Sequence, residues 1–392
     1  MLRSLFSGIS GLRAHQTMLD VTGNNIANVN TTGFKASQTQ FQDTLSQVLT
    51  NAGAAQDGVG GTNPAQVGLG VRVAGITTNF QQGAAQLTNR STDMMISGDG
   101  FFVVRKGAEQ FYTRAGAFDF DSSGQLVTPD GSLVQGWAAA PDGSIDVNGP
   151  LVDLRLPIAT LMAAAGTTSA TFEGNLPSDA DVGTVLNRDI DVYDATGDVT
   201  TLALALTRTA TGWTVTGTRD GAGAATITLT DAGDGTLTAS GALTVGGVAV
   251  DLSAVTGFAG LNTVEGVGQN GRAAGTLQSF TINADGTLLG SFSNGLKQDV
   301  GRVALSTFTN PAGLEKAGGS LYRTTVNSGD AQIGAAGTGG RGELTGGALE
   351  MSNVDLSAEF TNLIIAQRGF QANSRVITTS DELLQELVNL KR

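Results

Sequence analysis

Apolar residues return every seven positions at both ends of this chain. Leu5, Leu12, Leu19 and Ile26 set the first series, with Ile9 between them. Leu356, Leu363, Phe370, Ile377 and Leu384 set the second, joined by Phe360 and Val388. That spacing draws one apolar seam along a helix, as in a coiled coil. The first series predicts a helix over residues 2–27, about 39 Å long at 1.5 Å per residue. Gly8, Gly11 and Gly23 each weaken it by up to about 1 kcal/mol relative to alanine, so it orders only against partners. It stops in Asn28-Val29-Asn30-Thr31-Thr32-Gly33, where Asn and Gly tolerate left-handed backbone. The second helix is expected to start near Asn353.

Between the seams the period changes. Residues 36–70 read as a linker with a short apolar start at Phe41, Leu45, Val48 and Leu49. From about 71, strand-like runs such as Phe101-Phe102-Val103-Val104 alternate with turns such as Pro129-Asp130-Gly131. From 158 to 270 the pattern simplifies. Leu202, Leu204 and Leu206 alternate with alanines there, and Trp213, Val215, Ile227 and Leu229 with threonines. Asp220-Gly221 and Asp234-Gly235 are hairpin turns. Over 271–350 the strand-like pattern of 71–157 resumes. The order predicts a multidomain α+β fold: a coiled-coil-like helical domain from 1–35 and 351–392, and two mainly antiparallel β domains. The outer one (158–270) is inserted into the inner one (71–157 and 271–350).

Composition narrows the function. The 56 glycines are roughly twice average usage and mark many tight turns. Net charge is −13, and residues 158–270 hold three basic and twelve acidic side chains, a net of −9. Such a chain is a poor nucleic-acid binder, because phosphate requires basic patches. With no cysteine, thiolate nucleophiles, disulfides and Cys-based zinc sites are excluded. The single histidine, His15, is expected to face solvent or a partner. No apolar run reaches the roughly 18–20 residues of a membrane span, and the N-terminus lacks the features of a cleavable signal peptide.

No catalytic constellation emerges, so neither enzymatic activity nor a cofactor is expected. Gly337-Thr338-Gly339-Gly340-Arg341-Gly342 matches a dinucleotide fingerprint but has no helix opening after it. Asp119 to Asp130 resembles a calcium loop, yet strand patterns flank it and its last position is not Glu; a hairpin turn is the stronger reading. The dense run Asn24, Asn25, Asn28, Asn30 exceeds what a helix stop requires. Side-chain amides, which both donate and accept, suit contacts between neighbouring copies.

That run, continued through Thr32, Gly33, Phe34 and Lys35, resembles the N-terminal signature of the bacterial flagellar rod and hook axial family. Ser352-Asn353-Val354-Asp355-Leu356-Ser357 and the stretch around Gln367 and Arg368 resemble its paired C-terminal motif. The similarity covers residues 1–160 and 270–392, and is strongest to the hook branch. It implies a structural subunit that polymerises into a curved, flexible tube joining rod to filament and transmitting torque as a universal joint. The seam residues would then pack the axial core. Implied partners are further copies of the chain, rod, hook-cap and hook–filament junction proteins, and the flagellar type III export apparatus, with no nucleic acid and no membrane insertion. The location would be the extracellular hook on the basal body. Phe41 and Leu45 match a short element presented to the export gate. A distal rod or hook-associated protein, or more remotely a secreted β-rich binding module, are the alternatives.

Overall fold

A computed structural model describes residues 2–54, 57, 60–156 and 162–389. The chain divides into two compact units: Met1–Leu156 with Thr281–Leu289 and Asp299–Arg392, and Pro157–Phe280 with Gly290–Gln298. The expected edge between 157 and 158 lies outside the described residues. The second unit runs past the expected end at 270, because Arg272 and Gly275 bridge back to Ala165 and Met162.

In the first unit, helix α1 (Leu2–Ala27) and helix α2 (Leu356–Asn389) lie antiparallel. α2 begins at Leu356, not near Asn353, because Asp355 caps it: Oδ1 accepts from the Ser357 and Ala358 N–H groups at 2.8 and 3.2 Å. The helices meet through small and polar positions of α1, against a stripe of α2 that includes Ile377 of the seam. A Cβ on Gly8 would touch Ile377, one on Gly11 would meet the Asn373 amide at 2.7 Å, and one on Gly369 would meet the His15 ring at 2.5 Å. Asn25 Nδ2 donates to Glu359 Oε1 at 2.9 Å. Gly8, Gly11, His15 and Asn25 thus face Ile377, Asn373, Gly369 and Glu359. The glycines that weaken α1 let the two backbones approach.

Residues 36–70 are not a linker. Ser37–Asp43 pairs with Val71–Thr78, and Ser46–Thr50 with Ala65–Gly68, all antiparallel. Together they make a two-stranded ribbon. Its base lies against α1, where the Phe41 ring meets His15 edge-on at 5.8 Å and the Val71 N–H donates to Ser10 Oγ at 3.2 Å. An isolated two-stranded ribbon is marginal in water, so this contact with α1 supports it. His15 is half-buried beside the Phe41 ring, and its Nδ1 has no hydrogen-bond partner among the described residues.

The rest of the first unit is a sheet to which distant segments contribute. Leu133–Ala138 pairs with Phe101–Lys106 on one side and, through Gly136 to Ala138, with Gly301 to Val303 on the other. Glu109–Thr113 pairs with Leu321–Arg323, which pairs with Glu315–Gly318. Phe102, Val103, Val104, Val134 and Val303 are fully buried. Phe80, Phe101, Phe308, Tyr112 and Tyr322 pack edge to face with centroids 4.8 to 5.8 Å apart, the arrangement ring quadrupoles favour.

Burial pushes the Tyr112 and Tyr322 phenols above their usual value of 10.0. The unfolded chain releases these protons near pH 10 while the folded chain keeps them, so stability is full below pH 10 and falls as pH rises above it. Alkaline titration should show delayed phenolate absorbance that arrives together with loss of near-ultraviolet dichroism. Free ionisation of all three tyrosines near pH 10 in a folded chain would contradict this.

The second unit holds two sheets. One is a five-stranded antiparallel meander over Val185–Tyr193, Val199–Thr209, Gly212–Arg219, Ala225–Asp231 and Leu237–Ala239. Leu202, Leu204, Leu206, Trp213, Val215 and Leu229 face its core, while Ile227 is half-buried. The other sheet orders Leu243–Val245, Val248–Thr256, Ser169–Asn175 and Glu265–Gln269. Ser169–Asn175 and Val248–Thr256 run parallel, one exception to the antiparallel expectation. A parallel pair needs a long crossover, and the whole meander supplies it.

Candidate functional site

The two terminal motifs converge on one buried junction in the first unit. Gly33 turns the chain with φ +66°, and a Cβ there would meet the Ala115 nitrogen at 2.5 Å, so only glycine fits this approach. Its N–H donates to the Glu350 carbonyl at 2.8 Å. Lys35 then enters the interior. Its Nζ donates to Glu350 Oε1 at 2.6 Å and to the Gln81 carbonyl at 2.7 Å. Glu350 also accepts from the Gly83 N–H at 2.8 Å and from Arg114 Nη1 at 3.4 Å. Lys35 and Glu350 side chains are 0% exposed and Arg114 is 2% exposed.

One anion thus serves two cations in a dry site. Burial holds both cations below their usual pKa, although Glu350 opposes the effect on each. Such a cluster does little for net stability compared with apolar packing, but removing one member strands a buried charge.

The asparagines act beside this cluster. Asn25 pairs with Ser37 as a strand would: Nδ2 donates to the Ser37 carbonyl at 2.7 Å, and the Ser37 N–H donates to Oδ1 at 3.0 Å. Asn353 accepts from the Ala36 N–H at 2.8 Å and donates to the Asn79 and Gln81 carbonyls at 2.8 and 3.0 Å. Asn28 Nδ2 donates to the Asn24 carbonyl at 2.8 Å, and its Oδ1 accepts from Thr31 Oγ1 at 3.0 Å. Asn25 and Asn353 fasten the base of the ribbon to the two motifs, while Asn28 ties the end of α1 to the turn after it. Lys316 Nζ lies over the Phe34 ring at 5.1 Å, and Thr32 lines the same cleft. Asn30 is exposed; Ser352 and Val354 are half-buried beside the junction.

The apolar seams stand apart. Leu5, Ile9, Leu12, Leu19 and Ile26 are only half-buried, as are Leu363, Phe370, Ile377 and Leu384. Leu356, Phe360 and Val388 are exposed, Phe360 by 52%, together with Phe6, Ile364, Ile365, Val376 and Leu383. Gln367 and Arg368 also face out. Both helices therefore keep apolar surface uncovered in the single chain, more than scattered exposed residues would present. Phe41 and Leu45 lie on or beside the ribbon, Leu45 being 83% exposed.

The other motifs resolve into structure. Asp121 Oδ1 accepts from the Ser123 and Gln125 N–H groups, Asp119 pairs with Arg90, and Asp130 with Lys106, Thr128 and Ser132. The calcium-like segment is thus a hairpin turn between Asp119–Phe120 and Leu126–Val127. The glycine run closes on itself, Arg341 bonding the Ala335 and Gln332 carbonyls, and leads into strand Glu343–Gly346. Sequence reasoning missed Glu350 and Arg114. Their only signal was charge near a motif, which does not reveal burial.

Comparison with known proteins agrees with the terminal motifs. The family described as flagella basal body rod protein matches residues 5–35, flagellar hook protein FlgE/F/G D1 domain matches 95–181, and flagellar basal body rod FlgEFG protein C-terminal matches 345–390. The flagellar hook protein FlgE of Borreliella burgdorferi is 40% identical over all of both chains. That of Treponema pallidum is 39% identical, again over both whole chains. The flagellar basal-body rod protein FlgG of Bacillus subtilis is 35% identical with the same coverage. The Helicobacter pylori flagellar hook protein FlgE2 shares the fold at a TM-score of 0.53 and 15% identity, covering 68% of this chain and 100% of that one.

Proposed function

The chain belongs to the flagellar hook protein family, and from that premise we propose that it is the repeating structural subunit of a flagellar hook. Many copies would form a curved tube that joins rod to filament and carries motor torque as a universal joint. The observation that supports this best is the apolar surface left open on α1 and α2. A single chain leaves the seam residues half-buried or exposed, and further copies would complete their burial. We assign Leu5, Ile9, Leu12, Leu19 and Ile26, with Leu356, Phe360, Leu363, Phe370, Ile377, Leu384 and Val388, to that axial packing. The organisation fits an axial helical domain carrying an inner β domain, with an outer one inserted into it.

The role is structural, not enzymatic. Rod, hook-cap and hook–filament junction proteins are the neighbours this position implies, and delivery would run through the flagellar export apparatus. Phe41 and Leu45 are offered as its recognition element. The distal-rod alternative rests on the rod relative at 35% identity, which is less similar than the two hook relatives at 40% and 39%. Purified protein brought to high concentration in a kosmotropic salt, which strengthens apolar burial, should form curved tubes visible by electron microscopy. Persistently monodisperse particles would overturn the assignment, and rigid straight tubes would favour the rod.

A further inference from the structure

The first unit carries both a knob and a cleft. The knob is Val326, whose side chain is 106% exposed at the tip of a tight turn. The turn is stiff. The Thr325 N–H donates to Ser328 Oγ at 3.0 Å and the Asn327 N–H to Thr325 Oγ1 at 3.2 Å. Asn310 Nδ2 donates to the Asn327 carbonyl at 2.9 Å, and Thr325 Oγ1 to the Gly313 carbonyl at 2.6 Å. Ser328, at the base of the turn, is fully buried. Such bonding leaves no reason in the single chain for holding an aliphatic side chain in water. A loop already fixed in its bound form loses little freedom on docking.

The cleft has a volume of about 580 Å³ and lies between the end of α1 and the sheet, lined by Phe34, Ala117, Pro129, Lys316 and Tyr322 among others. Its wall is mainly apolar, with one cation that has no carboxylate partner among the described residues: Lys316 Nζ donates to Ser37 Oγ at 2.8 Å and the Lys35 carbonyl at 3.4 Å and lies over the Phe34 ring. Asp130 also lines the cleft, but its oxygens are taken by Lys106, Thr128 and Ser132. Beside the knob, Asp330 is exposed and forms no ion pair among the described residues. Apolar tip and acidic flank on one element match apolar wall and basic edge on the other.

We propose that the Val326 turn of one copy seats in the Phe34–Ala117–Tyr322 cleft of the next, with Asp330 facing Lys316. The knob of each copy is given to the next and not returned to the first, which makes the proposed contact heterologous. Repeated from copy to copy it extends a helical array without closing into a dimer. The inference rests on the polymeric reading of the helices and adds a specific contact to it.

The cysteine-free chain permits a direct test. Val326→Cys and Ala117→Cys variants, mixed and assembled, should give chain-to-chain cross-links under oxidation or with a short bismaleimide. Unassembled protein should give none. Val326→Asp alters only an exposed side chain, so the monomer should unfold as before while the concentration needed for assembly rises at least tenfold. Tubes from the mixed cysteine variants without cross-links, or unchanged assembly of Val326→Asp, would overturn the knob-and-cleft contact alone. Wild-type protein that never assembles would overturn the polymeric reading on which it rests.

Discussion

Replacing Glu350 by alanine should lower the unfolding free energy by about 3–5 kcal/mol, the cost of leaving buried charge uncompensated. Glu350 is the sole carboxylate bonded to both Lys35 and Arg114 among the described residues, and it also satisfies the Gly83 N–H. Its loss strands two buried cations. It also releases the base of the ribbon, which those same residues locate. Glu350→Gln keeps the shape but not the charge and should fall between alanine and wild type. Lys35→Met should cost less than Glu350→Ala, because Arg114 still compensates the carboxylate. Urea unfolding of the monomer, followed by a signal from the first unit, measures each. A loss below about 1 kcal/mol for Glu350→Ala would show that the cluster is hydrated or rearranged.

Removal of residues 356–392 should abolish assembly at every concentration and salt tested while leaving the second unit fully folded. Among the described residues α2 carries seven of the eight exposed large hydrophobic side chains of the two helices, and it supplies the helix that α1 packs against. Asn353 and Glu350 remain, so the buried junction and the sheet should persist, while α1 should lose order because its glycines make it weak alone. Sedimentation and circular dichroism separate these outcomes. The point variants Phe360→Asp and Ile365→Asp should raise the concentration needed for assembly at least tenfold without changing monomer stability, since both side chains are already exposed. Tubes formed by the truncated chain would mean that the helices are not the assembly surface.

Some of this was legible in the sequence for physical reasons. The terminal helices announce themselves because apolar residues at seven-residue spacing have one simple structural reading. Leu202, Leu204 and Leu206 did the same for a strand with one buried face. The ribbon was hidden because Ser37-Gln38-Thr39-Gln40 has no apolar alternation; its pairing partner and α1 order it instead. The stripe by which the two helices of one chain meet was hidden for a related cause: glycine, histidine and asparagine carry no hydrophobic signal, yet close approach brings them together. The ion cluster was invisible because its members gain meaning only when brought together in space.

That separation has a consequence in time. Lys35 and Glu350 lie 315 positions apart, and closing a loop of that length costs roughly 5 kcal/mol in chain entropy beyond a fixed term. A chain emerging from its N-terminal end presents Lys35 long before its counter-charge exists. The sheet pairs within 101–138 are local and can form early, whereas the junction must wait for strand Ala348–Glu350. Closure of the cluster is therefore a late event, and until it occurs the ribbon is held by α1 alone. A subunit in transit would stay pliable at that point and stiffen only once the distant residue arrives.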